Sequence, residues 1–144
     1  MKRALDICEE ALGPEHPDTA RSLDNLAGLY RTQGRYTEAE PLLKRALDIY
    51  EKTLGLEHPH IARSLNNLAE LYRAQGKYTE AEPLLKRALA INEKALGLEH
   101  PHTATVLENY ARLLRAINKD DEAENLEKRA SIIRAKGSQP KPEN

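Results

Sequence analysis

The chain has 144 residues, and its 22 basic and 23 acidic side chains give a formal net charge of -1, with Trp and Phe absent. This balance excludes the positively charged surface with interleaved aromatic rings that is expected of a nucleic-acid-binding protein. No apolar run approaches the roughly 18 residues that a membrane span needs, and the start MKRALDICEE is unlike a signal peptide, so we expect a cytoplasmic protein that does not associate with membranes.

The chain is a tandem array with a period of 42 residues: residues 13–54 and 55–96 are identical at 32 of 42 positions. A divergent third unit starts at Gly97, and residues 1–12 align with the second half of a unit. Self-similarity at a fixed period of this length predicts a solenoid, in which neighbouring units complete one another's core. The predicted organisation is a half repeat over 1–12, repeats over 13–54, 55–96 and 97–136, and a disordered polar tail over 137–144.

The first half of the central unit predicts an amphipathic helix, called helix A. It should begin near Pro59, with His58 at the cap, because proline fits a first helical position. It should end at Gly76, where a left-handed backbone conformation closes the helix; Gly34 and Asn118 are the equivalents, and Asn is the next most tolerant residue of that conformation. The apolar positions recur at three- and four-residue steps: Ala62, Leu65, Leu68, Ala69 and Tyr72.

The second half predicts another amphipathic helix, helix B, which begins after Tyr78 and ends at Gly97. Thr79 and Glu82 stand in the order of a capping box, and Pro83 is expected in the first helical turn, where a proline does not break the helix. A turn of two or three residues between helices A and B requires that they run antiparallel. The apolar face of helix B consists of Ala81, Leu84, Leu85, Ala88 and Leu89.

The stretch NNLAELYRAQGKYTEAEPLLKRAL resembles a tetratricopeptide repeat, with the matching residues Leu65, Leu68, Ala69, Tyr72, Gly76, Tyr78, Ala81, Leu85 and Ala88. HEAT and armadillo arrays have similar periods but lack the Gly-x-Tyr-x-x-Ala turn. The period of 42 exceeds the usual one of about 34, and Glu93 stands where that form has proline. The longer form is similar to the repeats of kinesin light chain. The resemblance implies an all-α fold, a right-handed α-solenoid of helical hairpins, in which Ala69 and Ala81 mark the closest approach of the two helices.

The two ends of the array are expected to differ. In the third unit Glu127 and Ser131 replace Leu85 and Leu89, so its helix B gains a polar outer face and is interpreted as a C-terminal cap. The half repeat at the other end has no such cap and looks like a cut through a longer array. We therefore predict homo-association through residues 2–12.

The resemblance implies that helix A lines a concave groove and that the asparagine column Asn25, Asn67 and Asn109 binds the main chain of an extended peptide. A structural ladder between helices is an open alternative. The arginine columns could bind peptide carboxylates, or Asp24, Glu70 and Glu108 could neutralise them as ion pairs. The candidate peptide-binding residues are Arg21, Asn25, Arg31, Arg63, Asn66, Asn67, Arg73, Asn109, Arg112 and Arg115.

The sequence predicts neither a metal site nor a catalytic site. The histidines cluster at helix A starts, but each lies next to a helix-starting proline, so repetition explains the cluster and no metal site is predicted. Cys8 stands at a position that varies between repeats, where Tyr50 and Asn92 are its equivalents. No nucleophile with a base and no phosphate-binding loop is present, so we expect neither catalysis nor a cofactor.

The expected function is therefore a protein-interaction scaffold that binds an extended peptide in its groove, with acidic peptides preferred if the arginine columns are not neutralised within the chain. The alternative is a structural or regulatory spacer that stacks end to end without a dedicated ligand. A sensor segment of a larger signalling ATPase is also compatible with the resemblance.

Overall fold

A computed structural model describes residues 5–6, 13 and 15–138 of the chain, and within them all regular secondary structure is α-helical. This confirms the all-α fold class. Most of the half repeat predicted for residues 1–12, and residues 139–144 of the predicted tail, lie outside the described part. The last helix continues to Ser138, past the predicted start of the tail at Gly137. The helices are α1 (Pro17–Thr32), α2 (Tyr36–Leu54), α3 (Pro59–Ala74), α4 (Tyr78–Ala95), α5 (Pro101–Ala116) and α6 (Asp120–Ser138).

Histidine side chains cap the A helices α1, α3 and α5, each of which starts with proline. Nδ1 of His16, His58 and His100 accepts the backbone N–H two residues later, at 3.0, 3.1 and 3.0 Å. The accepted N–H is one of the donors that a helix start leaves without an intrahelical partner. His16, His58 and His100 therefore have a structural role, and the capping predicted for His58 is confirmed.

The turn within each hairpin uses one left-handed residue, as the sequence predicts. Gly34, Gly76 and Asn118 have φ of 76, 77 and 66°. The residue after each one donates its N–H to a carbonyl in the last turn of helix A, as Lys77 does to Tyr72 at 2.8 Å. Asn118 is the sole non-glycine residue with positive φ among those described. The third unit thus keeps the backbone geometry of the turn with a different residue.

The start of helix B differs from the sequence prediction. The helix begins at Tyr78, and Lys77 is its cap without a side-chain hydrogen bond, so the predicted capping box of Thr79 and Glu82 is wrong. Thr79 lies inside the first turn, two residues after the cap position. Pro83 consequently falls in the second turn, yet the helix continues past it. The carbonyl left without its usual donor belongs to Thr79, which is exposed, so water can satisfy it.

The hairpins α1–α2, α3–α4 and α5–α6 stack so that α3 packs on α2 and α5 packs on α4, and the A helices α3 and α5 also contact each other. Small residues are found where the helices pack: Ala69 and Ala81 are completely buried. One apolar core runs from Leu5 to Ala123, and a second cluster closes the last hairpin. Leu89 and Leu126 contact both. Within residues 15–138 no helix combines the length and apolar character needed to cross a membrane.

Candidate functional site

We call the polar side of the A helices α1, α3 and α5 the A face; these three helices carry every candidate residue named from the sequence. Hydrogen bonds connect α3 to α5 across it, and residues of α1 and α3 line one small cavity in it. Two junctions therefore make up the A face: the first between α1 and α3, and the second between α3 and α5.

At the second junction the amide and charged side chains form hydrogen bonds and ion pairs with one another. Asn109 Nδ2 donates to Asn66 Oδ1 at 2.9 Å, a bond between neighbouring A helices. Glu70, which is mostly buried, accepts from Arg73 of its own helix at 3.0 Å and from Arg112 of the next helix at 3.3 Å. Arg112 also donates to Asn109 Oδ1 at 3.3 Å. The geometry here is that of a ladder between helices with paired charges.

The first junction has the same backbone but lacks these partners. Asn67 corresponds to Asn109 and Asp24 to Asn66, yet both carboxylate oxygens of Asp24 are buried and, among the described residues, have no hydrogen-bond partner. Asp24, Asn67 and Arg31 line a cavity of about 60 Å³ together with Gly28. Gly28 occupies the position of Glu70 one repeat later, so Arg31 has no carboxylate one helical turn before it. Within residues 15–138 Arg31 makes no ion pair.

Burial raises the pKa of the Asp24 carboxyl to about 6, and the nearby charge of Arg63 and the hydroxyl of Tyr50 only partly oppose this effect. Burial is also the main cause that raises the pKa of the Tyr50 hydroxyl, and the negative charge of Asp24 raises it further. Asp24, Tyr50 and Arg63, from three helices, thus interact electrostatically at this junction; the Tyr50 hydroxyl lowers the pKa of the carboxyl as a nearby donor but, within residues 15–138, does not meet the geometry of a hydrogen bond to it. A carboxylate in such a place is costly unless a donor reaches it.

The remaining candidates lie at the edges of the A face. Asn25 is exposed, and Arg21 makes a 3.4 Å ion pair with Asp18 of its own first turn. Arg115 forms two hydrogen bonds, of 2.8 and 2.5 Å, with Glu127 of α6, which raises the pKa of the guanidinium and lowers that of the carboxyl.

Charged side chains join the two helices of the last hairpin, α5 and α6. Besides the Arg115–Glu127 pair, Arg134 donates to Glu108 at 2.9 Å and to the Thr105 hydroxyl at 2.8 Å. These contacts join α6 to α5, and they also agree with the alternative in which acidic residues such as Glu70 and Glu108 neutralise the arginine columns. The polar outer face and the C-terminal cap predicted from Glu127 and Ser131 stay predictions, and Ile132 of α6 is 57% exposed.

The sequence reasoning missed two residues at these junctions, Asp24 as a buried acid and Asn92 as the wall of a cavity of about 400 Å³ at the second junction. The signal for both was present in the alignment of the repeats, because Asp24 is replaced by Asn66 and Asn92 replaces Tyr50. No three His, Cys, Asp or Glu side chains of the described residues are arranged to hold a metal ion.

The stacked hairpins and their bonded A helices define the class of the protein, a helical-repeat solenoid. A family model described as tetratricopeptide repeat matches residues 1–52 and 60–135. The chain belongs to this family. Tetratricopeptide repeats mediate protein–protein interaction, and the family is typically non-enzymatic.

Solved structures place the chain among repeats of the kinesin-light-chain type. BtubC (BKLC) from P. vanneervenii is 27% identical, with a TM-score of 0.85 over 99% of this chain and 58% of that one. A protein of Podosopora anserina described as a kinesin light chain with nearly identical TPR-like repeats is 34% identical, with a TM-score of 0.77 over 96% of this chain and 66% of that one.

Among curated proteins, nephrocystin-3 of Xenopus laevis and of Xenopus tropicalis are each 45% identical to this chain over 42 residues. That match is one repeat long and covers 29% of this chain and 3% of either nephrocystin-3. The chain therefore spans only a small part of the curated relatives that it matches.

Proposed function

We propose that this chain is a protein-interaction module that binds an extended peptide along the A face and prefers peptides with an acidic side chain. The observation that carries the proposal is the difference between the two junctions. At the second junction Asn109, Arg73 and Arg112 are engaged within the chain. At the first, Asn67 makes no side-chain hydrogen bond and Arg31 no ion pair within residues 15–138.

The chemistry of the two unengaged groups fits an extended peptide. An amide side chain offers a donor and an acceptor, as the peptide main chain does, so Asn67 can bind a peptide regardless of its sequence. The Arg31 guanidinium offers a planar fork of donors that matches a carboxylate. Together they support main-chain binding at the first junction with a carboxylate of the peptide on Arg31. The groups at the second junction contribute less, because a ligand would have to displace existing partners.

Peptide-array binding tests this proposal with the wild-type chain and the Asn67→Ala, Arg31→Ala double variant. Loss of a charge-assisted hydrogen bond of about 1.5–3 kcal/mol predicts weakening of roughly tenfold or more, with helicity unchanged. Arg115→Ala is the matched control, because it also removes one arginine of helix A but one that is already bound to Glu127.

Equal binding by the wild type and the double variant would contradict the proposed site. If no peptide binds to the folded chain, the function as a spacer is favoured instead. Homo-association through residues 2–12 stays a prediction, because most of that segment lies outside the described residues; sedimentation at high protein concentration tests it.

A further inference from the structure

A cavity of about 400 Å³ at the second junction is not used by the peptide binding proposed at Asn67 and Arg31. It lies between the start of α3, the end of α4 and the start of α5. Arg63 and His102, both exposed, stand at its edge, and Asn92, only 4% exposed, forms part of its wall. Leu96 and Val106 add apolar surface.

One repeat earlier the corresponding space is filled by the ring of Tyr50, which is 2% exposed. This ring packs 5.6 Å from the His60 ring, and its hydroxyl interacts electrostatically with Asp24, Arg63 and Arg21. Adding the period of 42 residues to these four neighbours gives residues that all line the cavity: His102, Asn66, Thr105 and Arg63. Tyr50 itself corresponds to Asn92. The cavity is therefore the site of a tyrosine ring that the second repeat lacks.

The neighbouring structure keeps the space open. Asn92 Nδ2 donates to the backbone carbonyl of His102 at 3.4 Å, so the shorter side chain is held at the wall. The backbone around it is fixed by the core, in which Leu65, Ile91 and Val106 are buried. A packed core relaxes only partly when a side chain is shortened, so a gap remains.

We propose that this cavity binds a 4-hydroxyphenyl group supplied from outside the chain. The ring would lie against Leu96 and Val106, as apolar walls with a few placed polar groups are typical of small-ligand sites. Its hydroxyl would accept from the Asn66 amide and the Arg63 guanidinium. The Thr105 hydroxyl already donates to the Pro101 carbonyl at 3.2 Å and accepts from Arg134 at 2.8 Å, so its second lone pair is what it offers the ligand. Asn66 Oδ1 already accepts from Asn109, so its NH2 group is the part directed to the ligand. The proposal is independent of peptide binding at the first junction.

The probe is p-cresol, which has the size and chemistry of the tyrosine side chain. In a titration of the wild-type chain followed by nitrogen–proton NMR, we expect saturable shifts of the Asn92 and Asn66 side-chain amides. Half-saturation on the order of millimolar is reasonable for so small a ligand. Asn92→Tyr fills the cavity with the chain's own ring and should weaken binding at least tenfold. The variant should fold, because the first repeat carries Tyr at this position.

A converse variant tests the assignment in the opposite direction. The double substitution Asp24→Asn, Tyr50→Asn gives the first junction the amides of the second, so a second p-cresol site is expected there. No saturable shift in the wild type, or equal binding by the Asn92→Tyr variant, would overturn the proposal. Equally tight binding of toluene would overturn the contacts assigned to the hydroxyl.

The source of the group is decided by a peptide array. Retention of tyrosine-containing peptides by the wild type, but not by the Asn92→Tyr variant, identifies a tyrosine of a protein partner. Binding of p-cresol without retention of such peptides identifies a free phenolic compound. In both outcomes the site stands, and a failure of peptide binding at Asn67 and Arg31 would not affect it.

Discussion

Replacing Asp24 by Asn should stabilise the chain at neutral pH. The second repeat already carries Asn66 at this position, where it accepts a hydrogen bond of 2.9 Å from the next A helix. In the Asp24→Asn variant, Asn67 can donate to the new amide oxygen in the same way. The substitution also removes a buried charge that, among the described residues, has no hydrogen-bond partner.

The magnitude follows from the pKa. Burial raises it from 3.8 to about 6, so at neutral pH ionisation of Asp24 costs the folded state up to about 3 kcal/mol relative to the unfolded chain. Because the residue as a whole is only half-buried, a gain of about 1–3 kcal/mol is expected for the variant. The cost is absent below the unfolded pKa, where the carboxyl is protonated in both states, and it grows as the pH rises through the folded pKa.

Urea unfolding followed by far-UV circular dichroism at about pH 7 and about pH 4 provides the assay. The variant should exceed the wild type in free energy of unfolding at the higher pH and approach it at the lower one. Asp18→Asn is the control, since it removes the same charge from the same helix at a half-exposed position and should bring no gain. A gain of equal size at both pH values, or none at pH 7, would refute the reasoning.

Three further predictions concern single residues and can be checked by the same unfolding measurement. Gly76→Ala should cost about 1 kcal/mol, because Gly76 has φ of 77°, while Asn118→Gly should be neutral or slightly stabilising. Ala69→Leu should cost about 1–3 kcal/mol by overpacking a completely buried position, whereas Ala74→Leu, at an exposed position of the same helix, should cost little. His58→Ala should cost about 1 kcal/mol by removing a helix cap, and His58→Asn should restore most of it; an equal loss in both variants would contradict a capping role.

The repeats made the fold predictable. Apolar periodicity located helices A and B, and the equivalence of Gly76 with Asn118 correctly indicated a left-handed residue at both turns. The capping box failed because the local pattern gives the residue types but not the register: Tyr78, and not Thr79, starts the helix. Periodicity fixes where helices lie more firmly than where they begin.

The candidate site was less predictable than the fold. Alignment of the repeats groups residues at equivalent positions, whereas some side-chain contacts join residues at different positions of neighbouring repeats. Asn109 bonds to Asn66 and not to the equivalent Asn67, whereas Arg112 and Glu70 are at equivalent positions and pair because the residue type changes from acid to base. Alignment of equivalent positions hides the offset of the amide bond. Two features carry the proposals: Arg31, which has no ion pair within residues 15–138, and the cavity beside Asn92. Both arise where one repeat differs from the other, and only three-dimensional neighbours show which contact such a difference removes.

The offset of 43 residues between Asn66 and Asn109 has a consequence for how such an array can grow. A unit copied from residues 55–96 carries the acceptor Asn66 and the donor Asn67 together. Every junction between such copies would therefore form its amide bond without any compensating substitution, and each would add one more open ring site. Copies of residues 13–54 would instead bury another carboxylate each time. Lengthening the array with copies of residues 55–96 is thus favourable, whereas each added copy of residues 13–54 lowers the stability of the array.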